Sequence, residues 1–380
     1  MDILFQDHHH EIQAKARQFV QAEILPHIEQ WDEEETPPLH LLPKAGELGL
    51  LGPHFPVECG GAGADVTSTC IVAEELGRAG SGIITTFLGS SVIATGPIFH
   101  FGTEQQKQEY LHPVLRGEKI AAIAMTEPDA GSDLAGITTT AVRDGDHYRI
   151  NGEKLFTTNG TISDFVLVDV RTGTTEDRHR GQSLLLVDRS TPGLTVKRKL
   201  KKLGWRASDT AALSFEDCRV PEANLVGELN RGFYHLMHNL DAERLVVAAD
   251  AVGLADSAFQ AAANYAKNRI QFGRPIAEFQ VIRHMLVDMH VSIEAARLLT
   301  YNCAAKIDRG QPATLEASCA KYRASEVVRQ VTADAVQVFG GQGFLMDNSV
   351  QRYFRDAPVY TIGGGTSQIQ KEIIAKQLGL

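Results

Sequence analysis

The chain has 380 residues, 43% of them hydrophobic and 22% charged. That is long enough for two or three packed layers and too apolar for a disordered chain. The net charge of −10 argues against a nucleic-acid binder, which normally carries a basic face.

Residues 1–119 read as helical. Met1 to Asp7 lacks the basic and apolar regions of a signal peptide, and no run of about 18 apolar residues suggests a membrane span anywhere. His8, His9 and His10 would point in different directions on a helix and so cannot converge on one ion; a solvated segment is expected. Ile12, Ala16, Phe19, Val20 and Ile24 recur at helical spacing, and Pro37, Pro38 and Pro43 break the pattern. A glycine-rich loop follows at Gly60, Gly61 and Gly63, and Ile71 to Leu76 begins another helix. Thr103 with Gln106 is a capping-box signature before Tyr110 and Leu111.

Residues 120–230 change character, with short β-rich runs between turn signals. Thr138 to Arg143 and His147 to Ile150 flank Asp144-Gly145-Asp146, which predicts a hairpin. Phe165 to Val170, Ser183 to Val187, Leu194 to Val196 and Ala212 to Phe215 read as further strands of an antiparallel barrel or sandwich. Arg198, Lys199, Lys201, Lys202 and Arg206 form the densest basic cluster, read as a solvated strand edge.

Residues 231–380 are helical again. Asp241 to Lys267, Phe279 to Arg309 and Thr314 to Phe339 predict three long helices joined by short connections, hence an antiparallel bundle. The crevice between the zones is the natural place for a cofactor. The cysteines Cys59, Cys70, Cys218, Cys303 and Cys319 are scattered, odd in number and without a CxxC pair. A disulfide framework or a structural zinc site is therefore not expected, and a reducing cytoplasm fits.

Four segments carry candidate chemistry. Met125 to Asp133 (MTEPDAGSD) offers backbone N–H groups and hydroxyls to a polar planar ligand, although composition alone leaves an ordinary strand-to-loop junction open. Lys154 to Gly160 (KLFTTNG) pairs an aromatic face with two hydroxyls, or is simply a strand with a core phenylalanine. Asp241 to Arg244 (DAER), placed at the start of a long helix, sets Glu243 among Leu240, Leu245, Val246 and Val247. A desolvated carboxylate there would be a usable base near neutral pH; the alternative is an acid favoured by the dipole of a first helical turn. Gly363-Gly364-Gly365-Thr366 permits close backbone approach to a ligand ahead of a capped helix near Ser367, or is a flexible connector.

Taken together, these segments resemble the acyl-CoA dehydrogenase family. The motifs lie in the family's order: FGTEQQKQEYLHPVLRGE (Phe101–Glu118), MTEPDAGSD, KLFTTNG, SDTAALSFEDCRVP (Ser208–Pro221), NRIQFGRPIAEFQ (Asn268–Gln280), QVFGGQG (Gln337–Gly343) and GGTSQIQ (Gly364–Gln370). The resemblance implies an N-terminal helical domain (1–119), a middle antiparallel β-barrel domain (120–230) and a C-terminal four-helix bundle (231–380), with bound FAD and a homotetramer. Most members carry a catalytic glutamate just before the Gly-Thr of the C-terminal loop, where this chain has Gly364. The isovaleryl- and long-chain-type members carry it instead in a Glu-Arg pair on the long helix, and Glu243-Arg244 matches that pair.

The reaction so implied is α,β-dehydrogenation of an acyl thioester, with Glu243 taking the Cα proton and flavin N5 accepting hydride from Cβ. The backbone N–H of Gly364 and a ribityl hydroxyl of FAD would stabilise the developing enolate oxygen. By resemblance, Met125, Thr126, Gly131 and Ser132 contact flavin and substrate, Phe156 lies beside the flavin and Thr158 donates to its N5 edge. Arg269, Gln271, Phe272 and Gln280 reach the FAD of a neighbouring subunit, Gln337, Gly340 and Gly341 contact the pyrophosphate, and Thr366 and Gln368 the adenosine end. Asp241 and Arg244 lie near the CoA pantetheine and the base. The implied electron acceptor is an electron-transferring flavoprotein or oxygen. Three alternatives remain: a thioester on a carrier protein, such as a prolyl group, a non-catalytic flavin-binding subunit, and a flavin enzyme of the same fold with other chemistry, such as nitroalkane oxidation.

Overall fold

The protein is seen as a computed structural model that describes residues 5–174 and 178–380. Residues 1–4 of the segment read for a signal peptide lie outside the described residues.

The first zone contains α1 (Asp7–Phe19), α2 (Ile28–Glu34), α3 (Leu42–Glu47), α4 (Val66–Gly77), α5 (Ile83–Thr86), α6 (Gly96–Phe101), α7 (Glu104–Gln106) and α8 (His112–Leu115). The stripe Ile12, Ala16 and Phe19 buries α1 against the core, and a π-helical stretch, Val20–Ile24, continues it. Pro37 and Pro38 follow α2, but Pro43 sits inside the first turn of α3, where its missing N–H costs nothing. The capping box at Thr103 forms in both directions: Gln106 N–H donates to Thr103 Oγ1 (3.2 Å), and Thr103 N–H to Gln106 Oε1 (3.0 Å).

The histidine run corrects its expectation. His8 and His9 both bring Nε2 to Asp65 Oδ2, at 3.1 and 2.9 Å, and His9 is buried. Neighbouring side chains on one turn converge because Asp65, at the N-cap of α4, reaches up between them. His9 Nδ1 accepts the N–H of Gln6, so its Nε2 carries the proton and donates to the carboxylate. That tautomer suits a hydrogen bond, not a metal ion.

The middle zone has β1 (Ala121–Ala124), β2 (Thr140–Asp144), β3 (His147–Thr158), β4 (Phe165–Arg171), β5 (Gln182–Asp188), β6 (Leu194–Lys199), β7 (Thr210–Pro221) and β8 (Leu225–Val226). They form one sheet in the order β6-β7-β3-β2-β4-β5-β8, with β1 added on β4. The predicted hairpin is present: Asp144 faces His147 across Gly145, whose φ of +65° suits the turn. The sheet is not wholly antiparallel, because β4 pairs in parallel with β1 and meets the start of β2 in parallel at Thr140–Arg171. The long connection between β1 and β2 frees both from hairpin geometry. Arg198 and Lys199 lie exposed on the edge strand β6, as expected, and Arg206 pairs with Glu35 at 3.2 Å.

The last zone contains α9 (Gly232–Asn268), the two-stranded ribbon β9 (Ile270–Gln271) and β10 (Arg274–Pro275), α10 (Gln280–Asp308), α11 (Thr314–Phe339), α12 (Ser349–Asp356) and α13 (Ser367–Gln377). Helices α9, α10, α11 and α13 pack as the bundle, and α4 lies against α9 and α10. Gly77 on α4 and Gly253 on α9 face the other helix's backbone, where a Cβ on either would overlap it. Ile83–Phe101 and Gly232–Asn268 are in fact long and apolar enough to cross a membrane by composition, but most of each is buried inside the protein. Asp356 ties the three zones together, accepting the N–H groups of Ser81 and Trp205, each at 2.6 Å.

Candidate active site

Glu243 lies three turns into α9, because the helix starts at Gly232 and not at Asp241. The first-turn dipole reading of DAER therefore does not apply. Only 8% of Glu243 is exposed. Burial pushes its carboxyl up to about 7, against a hydrogen bond from Asn239 and the charge of Arg244. Asn239 Nδ2 donates to Glu243 Oε1 at 2.9 Å. Arg244 pairs with Asp241 at 2.9 Å, and Asp241 also accepts the hydroxyl of Thr314 on α11.

The glycine loop closes over the same face. A Cβ placed on Gly364 would stand 3.7 Å from Val247, one turn beyond Glu243, and 3.9 Å from Cε of Lys321. Gly364 and Gly365 have φ of +63° and +86°, a left-handed pair that glycine adopts without strain. Their carbonyls are tied down. Lys321 Nζ donates to Tyr360 O (2.9 Å) and Gly365 O (2.5 Å), and Gln370 Nε2 to Gly364 O (3.1 Å) and Gly365 O (3.3 Å). The N–H of Gly364 takes no partner among the described residues. The Gly365 N–H likewise takes none, so the loop, with its carbonyls held, presents free N–H groups that can donate to an incoming oxygen.

A second group assembles on the sheet. Leu155 N–H donates to Thr126 O at 2.8 Å, joining MTEPDAGSD to KLFTTNG. Lys154, fully buried, donates to Met125 O and Glu127 Oε1, each at 2.9 Å. Burial would raise the Glu127 carboxyl, but Lys154 and the hydrogen bonds from Thr138 and Thr139 hold it down at about 2. Between Lys154 and Thr157 the register of β3 slips, and Phe156 takes a left-handed φ of +57°. The slip turns its ring outward, 62% exposed, so Phe156 is not a core phenylalanine. Thr158 is half-buried, Ser132 is exposed, and the space around Gly131 is open. A planar polar cofactor fits this combination of open space, ring face and hydroxyl.

The third group lies at the far end of the bundle. Arg269, Gln271, Phe272, Gln280, Gln337, Gly340 and Gly341 are all exposed there, Phe272 by 94%. Stacking of Tyr265 on Phe339, centroids 4.2 Å apart, brings the ends of α9 and α11 together. Thr366 uses its hydroxyl to cap α13 through Ile369 N–H, and Gln368 beside it is exposed.

Sequence reasoning missed Asn239, Lys321 and Lys154. Asn239 stands four residues before Glu243, the spacing of neighbours on one helix face, and could have been found by it. Lys321 sits in a run that reads as an ordinary helix and gives no such signal.

The sequence profiles of the acyl-CoA dehydrogenase N-terminal, middle and C-terminal domains match residues 6–118, 122–218 and 230–379. The chain belongs to the acyl-CoA dehydrogenase family. It is a flavin-dependent oxidoreductase acting on the CH–CH bond of an acyl thioester. A short-chain-specific acyl-CoA dehydrogenase of Clostridium acetobutylicum is 40% identical over 97% of both chains. The CarC subunit of the caffeyl-CoA reductase-Etf complex of Acetobacterium woodii is 39% identical over 98% of this chain and 99% of its own. The structure of butyryl-CoA dehydrogenase from Megasphaera elsdenii superposes with a TM-score of 0.96 at 36% identity, covering 99% of both chains. The short-chain-specific and butyryl-CoA enzymes correct one expectation: they point to short acyl chains, not to the isovaleryl or long-chain type. All three name a CoA thioester, so neither the carrier-protein reading nor the non-catalytic one is favoured.

Proposed function

We propose that this acyl-CoA dehydrogenase oxidises short-chain acyl-CoA, with FAD as its flavin, Glu243 as the base and Gly364 N–H as donor to the thioester oxygen. The observation that carries this reading is the buried Glu243 carboxylate on the face of α9 covered by the Gly364 loop. A carboxyl titrating near 7 is partly ionised at neutral pH and holds a proton well once it has taken one from Cα. The free N–H of Gly364 then offsets the charge that develops on the thioester oxygen. Bound FAD supplies the hydride acceptor for Cβ. Met125, Thr126, Gly131, Ser132, Phe156 and Thr158 would hold its ring, and Asp241 with Arg244 would orient the thioester arm.

The exposed Arg269–Gln280 ribbon and Gln337–Gly341 turn support a homotetramer in which each protomer completes a neighbour's FAD site, with Thr366 and Gln368 at the adenosine end. The complex that CarC forms with Etf supports an electron-transferring flavoprotein as acceptor. Five unpaired cysteines support a reducing cytoplasm. The divisions at 119/120 and 230/231 are part of the same reading.

Anaerobic titration of the FAD-loaded protein with acyl-CoAs of increasing length, and with acyl carrier-protein thioesters, tests it. The oxidised-flavin band should bleach fastest with butyryl-CoA. Glu243→Gln should keep its FAD and lose about a thousandfold or more in the rate of bleaching. Near-parental bleaching by that variant would remove Glu243 from the role.

A further inference from the structure

A buried base needs something to keep it charged and aimed, and the residue in that position is Asn239. Resting on the assignment of Glu243, we propose that Asn239 is a positioning residue for the reaction. It keeps Glu243 ionised and leaves one carboxylate oxygen for the substrate, and Gly96 of the N-terminal zone holds it there.

Asn239 and Glu243 are four residues apart on α9 and share a face. The Asn239 amide donates to Oε1 at 2.9 Å, and Oε2 takes no partner among the described residues. Donation to a carboxylate favours its ionised form, whereas burial opposes it. One oxygen is thereby occupied and the other has its lone pairs open.

The amide is held from the other side. Gly96 opens α6, and a Cβ built there would overlap the nitrogen, carbon and oxygen of the Asn239 carboxamide. Only a glycine lets the amide lie where it meets Glu243. Helix α6 thus sets the geometry of a base carried on α9.

The surrounding charges do not supply this effect. On α9 itself, Arg244 lowers the Glu243 titration as Asn239 does, but it is paired with Asp241. Lys321 on α11 is bound to the glycine-loop carbonyls. His100 on α6 faces His238, 4.6 Å between ring centroids. Glu74 of α4 and Arg297 of α10 gather with Arg78 around Asp256, several turns further along α9, while Lys306 and Asp308 at the end of α10 pair with Glu316 and Thr67.

The test uses the FAD-loaded enzyme and butyryl-CoA, with the rate of anaerobic flavin reduction followed from about pH 5.5 to pH 9. The variants are Asn239→Leu, Asn239→Asp and Gly96→Ala, with Glu243→Gln beside them. The parent's acid limb should lie near 7. It should move up by about one unit in Asn239→Leu and Gly96→Ala, and further in Asn239→Asp, where a like charge faces the base. The variant-to-parent ratio would then fall about tenfold from the alkaline to the acid end. Gly96→Ala leaves Asn239 in the chain, so it reads the inference even if an Asn239 variant fails to fold. A loss equal at every pH, or an acid limb left in place, overturns the positioning role. If Glu243→Gln is inactive while those limbs stay, the base stands and only this inference falls. If Glu243→Gln turns over normally, both fall.

Discussion

Gly364 occupies the place where most of the family carries its catalytic acid, and the space above it is open enough for a side chain. Restoring an acid there should nevertheless not restore anything. The left-handed φ of +63° costs an L-residue about 1–2 kcal/mol. A second carboxylate facing Glu243 would push both upward, since like charges disfavour ionisation. Gly364→Glu is therefore expected to turn over more slowly than the parent at pH 7, with its acid limb displaced to higher pH. A faster enzyme would mean that the loop glycine is not an adaptation to a base on α9. Phe156 makes a related point: a one-residue slip in β3 converts a core position into an exposed ring beside Thr158.

At the scale of elements, the loop between α12 and α13 is the part that chain entropy would dissolve first. Three successive glycines have more backbone freedom than any other triplet. What holds them is a lysine from α11 and a glutamine from α13, which together satisfy the carbonyls of Tyr360, Gly364 and Gly365. Burial lowers the Lys321 ammonium to about 8, and the Arg244 charge adds to that, so it stays charged at neutral pH. Lys321→Met keeps the volume and removes the donors. Two lost hydrogen bonds at about 1 kcal/mol each should speed hydrogen exchange of the Ile362 and Gly363 amides, which donate to Val359 O, by roughly tenfold or more and slow flavin reduction. Unchanged exchange there would show that Gln370 alone suffices.

At the scale of the molecule, buried carboxyls dominate the response to pH. Burial pushes Asp250 up to about 8 and Asp169 to about 7, alongside Glu243. These groups keep protons in the folded chain that the unfolded chain has lost, so stability falls as pH rises through this range. His54 and His100, lowered to about 4 by burial, act in the opposite direction, but their effect is complete above about pH 6.5. Between about pH 6.5 and 8 the thermal midpoint should therefore fall. Asp250→Asn still accepts the Tyr360 hydroxyl, which lies at 2.6 Å, and removes one such group. It should flatten the slope by up to ~1.4 kcal/mol per pH unit. Equal drops in variant and parent would show that Asp250 is already ionised.

Much of this was legible in the chain itself. The helix–strand–helix order, the capping box at Thr103 and the hairpin at Gly145 follow from local periodicity and turn chemistry, which a few neighbouring residues determine. The candidate base was legible too, through the missing acid at 364 and the Glu243-Arg244 pair. Tertiary structure decided the rest. It set the start of α9 at Gly232, which moved Glu243 from a helix end to a buried position three turns in. It joined β1 to β4 in parallel and drew His8 and His9 onto Asp65. It placed Asn239 between Gly96 and Glu243, and Lys321 beneath the glycine loop. Each of these depends on residues tens to hundreds of positions apart, and desolvation, which makes a carboxylate a base, exists only once those residues have closed around it.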